Sequence, residues 1–313
     1  MRTKRLRLIF LCTLALTLEC VTEGLAATEP EPGDPALLTE LLVRAEAVAR
    51  LAKSSPTVAI PAGQFLMGPA HPQNAPAASG MTEPQQRHIW LDAYAIDREE
   101  VSLGQYLAWV RQRPSSLPPN LADLETLKLL SHFADVLLSD DRPPDRVLAF
   151  WPAFSVTWFE AEAYCRTMGK RLPTEAEWEK AAGGVNGREY PWGHAAPDMG
   201  HAVFDRESDG NLPAVAAVDS RRAGRSPYGL HHMAGNVAEW VQDWAGSGSP
   251  VSPSERNPTG PAGGERKVLR GGSWRSAPSA LRVTARENAL PEQRSLAVGF
   301  RCAKSPAPPS KRR

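Results

Sequence analysis

The residues that could carry chemistry in this 313-residue chain are four cysteines, seven histidines and a handful of carboxylates. Thiolates suit Cu(I) or zinc, imidazoles suit zinc or iron, and carboxylates with backbone carbonyls suit calcium. Cys12 and Cys20 sit near the N-terminus, whereas Cys165 and Cys302 lie far apart in the chain. His71, His88, His132, His194 and His201 are scattered, and each reads as a surface or satisfied core histidine. His231-His232 is the one adjacent pair. On a strand such neighbours point to opposite faces, so at most one would reach a shared site. No Ser-His-Asp order, phosphate loop or zinc spacing stands out.

The compartment decides how the cysteines read. Arg2, Lys4, Arg5 and Arg7 form a basic head, Leu8 to Leu18 is an apolar run, and Gly24, Ala26 and Ala27 supply small residues. This is the pattern of a secretory signal over residues 1–26, cleaved near Ala26 or Ala27; the alternative is an uncleaved N-terminal anchor. Glu19, just before Cys20, spoils a lipidation signal. The expected location is the periplasm or outside the cell, with no transmembrane span after cleavage. Cleavage removes Cys12 and Cys20, which leaves Cys165 and Cys302 either as a disulfide or as two buried free thiols. A bridge closing so long a loop would stabilise by roughly 4–5 kcal/mol in the chain-entropy account. Lys+Arg 36 balances Asp+Glu 35, so the charge carries no footprint for nucleic acid or an anionic membrane.

Behind the signal, residues 27–57 read as a linker with an amphipathic helix. Pro30, Pro32 and Pro35 open it, and Leu38, Leu41, Leu42, Ala45, Val48 and Leu51 recur at helical spacing over residues 36–52. The helix could dock on the domain's own core or on a partner. A globular domain is expected over residues 58–303. Its strands are expected at 64–68 and 88–96. A helix follows, with Ser102 and Gln105 as a capping box and Val101 and Tyr106 as a hydrophobic staple. Residues 114–144 look inserted, with a helix capped by Asn120 and lined by Leu124, Leu127, Leu130, Phe133 and Leu137. Thr157 with Glu160, and Thr174 with Glu177, cap two more helices that stop near Gly169 and Gly183-Gly184. Residues 304–313 are expected to be a disordered basic tail. The abundance of Trp 9, Gly 24 and Pro 29 favours a loop-rich α+β fold.

The second half carries an ordered series of segments. Trp158-Phe159-Glu160-Ala161-Glu162-Ala163-Tyr164-Cys165 leads to Arg171-Leu172-Pro173-Thr174-Glu175-Ala176-Glu177-Trp178. Tyr190-Pro191-Trp192-Gly193 and Tyr228-Gly229-Leu230 follow. Gly235-Asn236-Val237-Ala238-Glu239-Trp240, Arg270-Gly271-Gly272-Ser273-Trp274 and Gly299-Phe300-Arg301-Cys302 complete it. In this order the segments resemble the signature of the formylglycine-generating enzyme (sulfatase-modifying factor) family, over roughly residues 58–303. The resemblance implies a compact α+β fold, C-type-lectin-like, with little regular secondary structure. It implies a disulfide between Cys165 and Cys302. It also implies calcium sites: Glu239 with the carbonyls of Gly235 and Val237 at one, Asp209 with the carbonyl of Asn211 at the other. His232 and Ala202 replace usual ligands, so both sites look eroded.

The family's type enzyme oxidises a cysteine in a sulfatase to formylglycine, using oxygen and copper held by two cysteines after the Arg-Gly-Gly-Ser segment. Here Ser276 falls where the first is expected, and the second maps near Ala280 or Leu281. A hydroxyl and an aliphatic chain cannot hold Cu(I), so copper is not expected. The non-haem iron branch of the fold needs a His-rich helical segment, and none is present. The leading expectation is an exported non-copper homologue that binds a peptide or protein segment in a groove near Arg270, Ser273, Trp274, Arg275 and Ser276. One alternative is an oxidoreductase of the formylglycine-generating type, acting on a cysteine of a sulfatase or secreted peptide without the two cysteines. Another is a structural partner in an envelope complex, docked through the 36–52 helix.

Overall fold

A computed structural model describes residues 35–69, 86–112, 130–139, 141–208, 212–246 and 256–305. The expected signal, the tail beyond Ser305, and Asn120, Leu124 and Leu127 lie outside the described residues.

The chain enters through helix α1 (Pro35–Ala49). Strands β1 (Thr57–Ile60), β2 (Gly63–Met67), β3 (Arg87–Leu91) and β4 (Tyr94–Asp97) follow. Next come α2 (Leu103–Gln112), the short α3 (Ala134–Leu137) and α4 (Asp145–Leu148), then α5 (Trp158–Thr167) and α6 (Glu175–Gly183). The last part holds β5 (Ala238–Trp244), β6 (Lys267–Arg270), β7 (Arg286–Ala289), β8 (Val298–Gly299) and β9 (Ala303–Lys304). Among the described residues three small sheets form, with strand orders β1-β4-β9, β2-β3 and β7-β6-β5-β8. This is the expected α+β fold with short regular elements.

The single strand expected at 88–96 is instead two strands in different sheets: β3 pairs with β2, and β4 with β1 and β9. The reason is in the burial pattern. Ile89 and Leu91 point inward, then Tyr94 and Ile96 do, so the two-residue alternation slips between Leu91 and Tyr94. The break is held from outside, because the Asp92 amide donates to Asn257 Oδ1 at 2.8 Å and Arg256 pairs with the Asp92 carboxylate at 2.5 Å.

The three expected capping boxes form. Ser102 and Gln105 exchange hydrogen bonds, and so do Thr157 with Glu160 and Thr174 with Glu177. Val101 and Tyr106 are both buried in one core cluster. Helix α1 lays Leu41, Ala45 and Val48 into that same cluster, against α2. Burying a Leu or Val side chain contributes about 1.5–3 kcal/mol, so the apolar face of α1 is spent on its own domain. Leu51 falls beyond the helix and is exposed. Around Tyr106 gather Trp109, Phe133, Tyr164 and Phe300, with ring centroids 5.4 to 6.3 Å from its own. The Cys165–Cys302 disulfide forms across 137 residues of sequence and ties α5 to the last strand pair.

Candidate functional site

The expected groove centres on the segment that leaves β6. Gly271 and Gly272 carry φ of 90° and 65°, a region that glycine adopts without strain. A Cβ on Gly272 would stand 2.9 Å from the Ala280 carbonyl, so the turn also needs the missing side chain. It delivers Ser273 and Ser276 to one another: Ser273 N donates to Ser276 Oγ at 2.9 Å, and the two hydroxyls lie 3.2 Å apart. Arg275 is exposed, with its guanidinium 4.4 Å from the Trp274 ring centre. Ser276 is half-buried.

Three of the five groove candidates do not face a groove: Ser273 is buried, and so are Arg270 and Trp274. Arg270 is buried and donates to Glu175 Oε1 at 3.2 Å, Glu179 Oε2 at 2.6 Å, and the carbonyls of Thr284 and Val283. Glu175 also binds Arg286. The Glu175–Glu179 spacing puts both carboxylates on one side of α6, and Arg270 bolts that side to the sheet. Trp274 is fully buried, and its Nε1 donates to the Leu296 carbonyl. Polar and aromatic types after a Gly-Gly turn suggested a ligand surface; here they close the core. What remains at the surface is Arg275 and Ser276. Asp205 N donates to the Ser276 carbonyl and Arg206 N to that of Trp274. Asp205, Arg206 and Glu207 in turn line a cleft of about 480 Å³ with Trp151.

At the positions expected for the two copper-binding cysteines, Ser276 offers a hydroxyl already bonded to Ser273, while Ala280 and Leu281 are buried. Leu281 packs with Tyr190, Phe204 and Ala234. Both cysteines among the described residues are locked in the disulfide. The residues present therefore do not fit Cu(I) held by thiolates.

Glu239, the expected calcium ligand, is fully committed elsewhere. Its Oε2 accepts from Trp178 Nε1 at 2.8 Å and Arg301 Nε at 2.7 Å, and its Oε1 accepts from Arg301 Nη2 at 2.7 Å. A buried guanidinium already occupies the cation's role there. Gly235 has φ 76°, and a Cβ would meet the Val203 carbonyl at 2.4 Å. The Val237 amide donates to Glu100. Burial and the nearby Glu239 charge push the Glu100 carboxyl well above its ordinary range. The donors beside Glu239 do not fit a calcium site, because Arg301 would stand against the ion. Asp209 and Asn211 lie outside the described residues.

The histidine pair departs from the strand expectation. His232 has φ 52°, so the backbone turns there and both rings reach the same segment. His231 Nδ1 bonds the Ser220 carbonyl at 2.7 Å, and its Nε2 accepts from Arg225 Nε at 2.8 Å. His232 Nε2 bonds the Ala217 carbonyl at 3.0 Å. Burial drops the His232 pKa to about 3. These imidazoles staple a loop. A feature that composition did not flag is Lys267, whose Nζ lies 3.9 and 3.6 Å from the ring centres of Trp158 and Trp244. Beside it, burial raises Asp243 to about 7. A lysine opposite a tryptophan in adjacent strands was the available signal, and it needs the β5–β6 register to be seen.

Comparison with known proteins places this geometry. The sulfatase-modifying factor enzyme 1-like domain matches residues 44–306. A formylglycine-generating enzyme of Streptomyces coelicolor is 33% identical over 287 residues, covering 79% of this chain and 88% of that protein. A mouse protein named inactive C-alpha-formylglycine-generating enzyme 2 is 29% identical, covering 80% of this chain and 86% of that one. The serine/threonine-protein kinase pkn1 of Chlamydia pneumoniae is 42% identical over 157 residues, 49% of this chain. The match spans only 24% of that kinase's length. Among solved structures, Treponema denticola variable protein 1 superposes with a TM-score of 0.57 at 23% identity, covering 80% of this chain and 95% of that one, which shows a shared fold. Taken with the ordered segments and the Cys165–Cys302 bridge, the chain belongs to the sulfatase-modifying factor enzyme 1-like domain family.

Proposed function

We propose that this chain is a non-copper member of the family that binds a peptide or protein segment. The observation that carries the reading is the side-chain set at the expected copper site. Ser276 and the buried Ala280 and Leu281 stand there, while both described cysteines are tied up in a disulfide. The Gly271-Gly272 turn beside that site is formed all the same. A mouse relative of similar coverage also carries the word inactive in its name, which supports a scaffold kept without the oxidation. Arg275, Ser276 and the adjoining cleft of Trp151, Asp205, Arg206 and Glu207 offer both charges and an apolar wall to an extended segment. Peptide recognition of this kind needs a few placed polar groups on a concave surface. Helix α1 gives its apolar face to its own domain, which weighs against its use as the docking element of an envelope complex.

The test is selection of binders from a displayed random peptide library, followed by fluorescence polarisation with the enriched sequences. Binding weakened by Arg275→Glu and by Arg206→Glu, with unfolding midpoints unchanged, supports the reading. Enriched peptides that bind both variants as well as the parent place the segment elsewhere and refute this surface.

A further inference from the structure

We propose that the outer edge of β1 is a docking strand, along which a short extended segment of a partner protein adds and is held through its backbone.

β1 ends the sheet β1-β4-β9 on one side. Its register with β4 runs from Thr57↔Asp97 to Ile60↔Tyr94, and just before it the Arg98 amide donates to the Pro56 carbonyl at 2.9 Å. Bonded residues alternate in an antiparallel pair, so Pro56, Val58 and Ile60 turn their main-chain groups toward β4. Thr57 and Ala59 turn theirs the other way. The far side of β4 agrees, because Asp97, the partner of Thr57, donates its amide there to the Cys302 carbonyl at 2.9 Å. Thr57 and Ala59 are both exposed. Among the described residues no group bonds the main-chain N–H or C=O of either. The other side of the sheet differs: Arg171 and Ala303 bridge there, each amide donating to the other's carbonyl. One edge is bridged and the other is open.

The open edge is held in place at both ends. Ahead of it, Gln105 Nε2 donates to the Lys53 carbonyl at 2.7 Å and Ser55 Oγ to Glu99 Oε2 at 2.6 Å. Behind it, the buried Lys180 donates to the carbonyls of Pro61 at 2.8 Å and Gly63 at 3.0 Å. An incoming strand meets two N–H and two C=O groups already aligned, with Thr57 and Ala59 about 6.8 Å apart, the two-residue repeat of an antiparallel strand. Such preorganisation lowers the ordering cost of binding.

Length and side chains choose the occupant. Pro56 and Pro61 bracket the edge. Two pairing residues bury far less than the roughly 1,200 Å² of a stable protein–protein interface, which suits a peptide strand and not a second copy of the domain. Thr57 and Ala59 share one face, where Ala59 sits opposite Ala95, so the surface beside the edge is low. On the other face stands the half-buried Val58, packed against the core. The partner strand is therefore uncharged along the contact and places β-branched residues beside Val58.

Amide-resolved NMR titration of the full chain with the capped peptide acetyl-Thr-Val-Thr-Val-Thr-amide tests the edge. Saturable shifts of the Thr57 and Ala59 amides are expected in the parent. Ala59→Pro removes an outward N–H that β4 does not use, and proline is tolerated on an edge strand. It should weaken binding by about tenfold or more, the scale of one or two lost backbone hydrogen bonds. The same peptide N-methylated throughout should bind the parent as weakly; if Ala59→Pro unfolds, this peptide alone decides. Arg275→Glu should leave binding unchanged, which separates this edge from the Arg275 and Arg206 surface. No saturable shift at Thr57 and Ala59, or equal affinity for the parent and Ala59→Pro, overturns the proposal. So does a dimer of the parent in sedimentation that Ala59→Pro abolishes, because the edge then belongs to a second copy.

Discussion

Replacing Arg301 by Met leaves Glu239 as a buried charge without its partner. Arg301 is fully buried and makes five hydrogen bonds: two to Glu239, both at 2.7 Å, and others to the carbonyls of Asp97, Arg98 and His231 at 3.1, 3.1 and 2.8 Å. Breaking a buried pair by removing one member typically costs about 3–5 kcal/mol, mostly because the other charge is stranded. Here the stranded carboxylate also lies near buried Glu100, whose own proton affinity is already raised by burial and by Glu239. The upper half of that range, about 4–5 kcal/mol, is therefore expected for Arg301→Met. The double variant Arg301→Met, Glu239→Leu removes both charges and keeps the volume, at the expense of an acceptor for Trp178 Nε1. It should recover at least half of the loss. Urea unfolding of the oxidised protein at pH 7, followed by tryptophan fluorescence, measures all three. A loss below about 1 kcal/mol for Arg301→Met, the scale of an exposed pair, would mean that Glu239 is not stranded by it. A double variant no more stable than the single would show that stranded charge is not the cause.

Removing the disulfide by Cys165→Ser and Cys302→Ser should cost roughly 5 kcal/mol, since the bridge closes a loop of 137 residues of sequence separation. Equal denaturation midpoints with and without the bridge would contradict this. His232, held near pKa 3 by burial, is neutral when folded but protonated when unfolded below about pH 6.5. Unfolded chains then bind more protons, so stability rises with pH between about 3 and 6.5. His232→Gln should flatten that limb in a pH series of unfolding midpoints, and an unchanged slope would assign it to other groups. Calcium at fixed ionic strength should shift the unfolding midpoint no more in the parent than in Glu239→Gln, because Arg301 and Trp178 hold both Glu239 oxygens. A concentration-dependent rise that Glu239→Gln abolishes would show the carboxylate swinging to a cation.

The fold was legible where local chemistry repeats it. Each capping box joins residues three apart, so both partners of Thr157–Glu160 and Thr174–Glu177 stand in one short segment. The buried stripe of α1 could likewise be read from spacing alone. The site was less legible because its meaning lies in long-range pairings. Arg270 reads as a ligand group until Glu175 and Glu179, more than ninety positions away, are seen to meet it. Glu239 reads as a metal ligand until Arg301 arrives from near the chain's end. The 88–96 strand failed for a subtler reason. Its alternation slips at Asp92-Ala93, and a propensity reading smooths over a slip that fixes two separate sheets.

Ser276, Ala280 and Leu281 at the expected copper site offer no thiolate to hold Cu(I). The most direct test is elemental analysis of the purified protein after loading with Cu(I) under anaerobic conditions and dialysis, with oxygen uptake then measured on cysteine-containing peptides. Less than stoichiometric copper and no peptide-dependent oxygen consumption are expected, with a full equivalent of copper bound only when cysteines are introduced at positions 276 and 281. Stoichiometric copper in the unaltered protein, with peptide-dependent oxygen uptake, would contradict it.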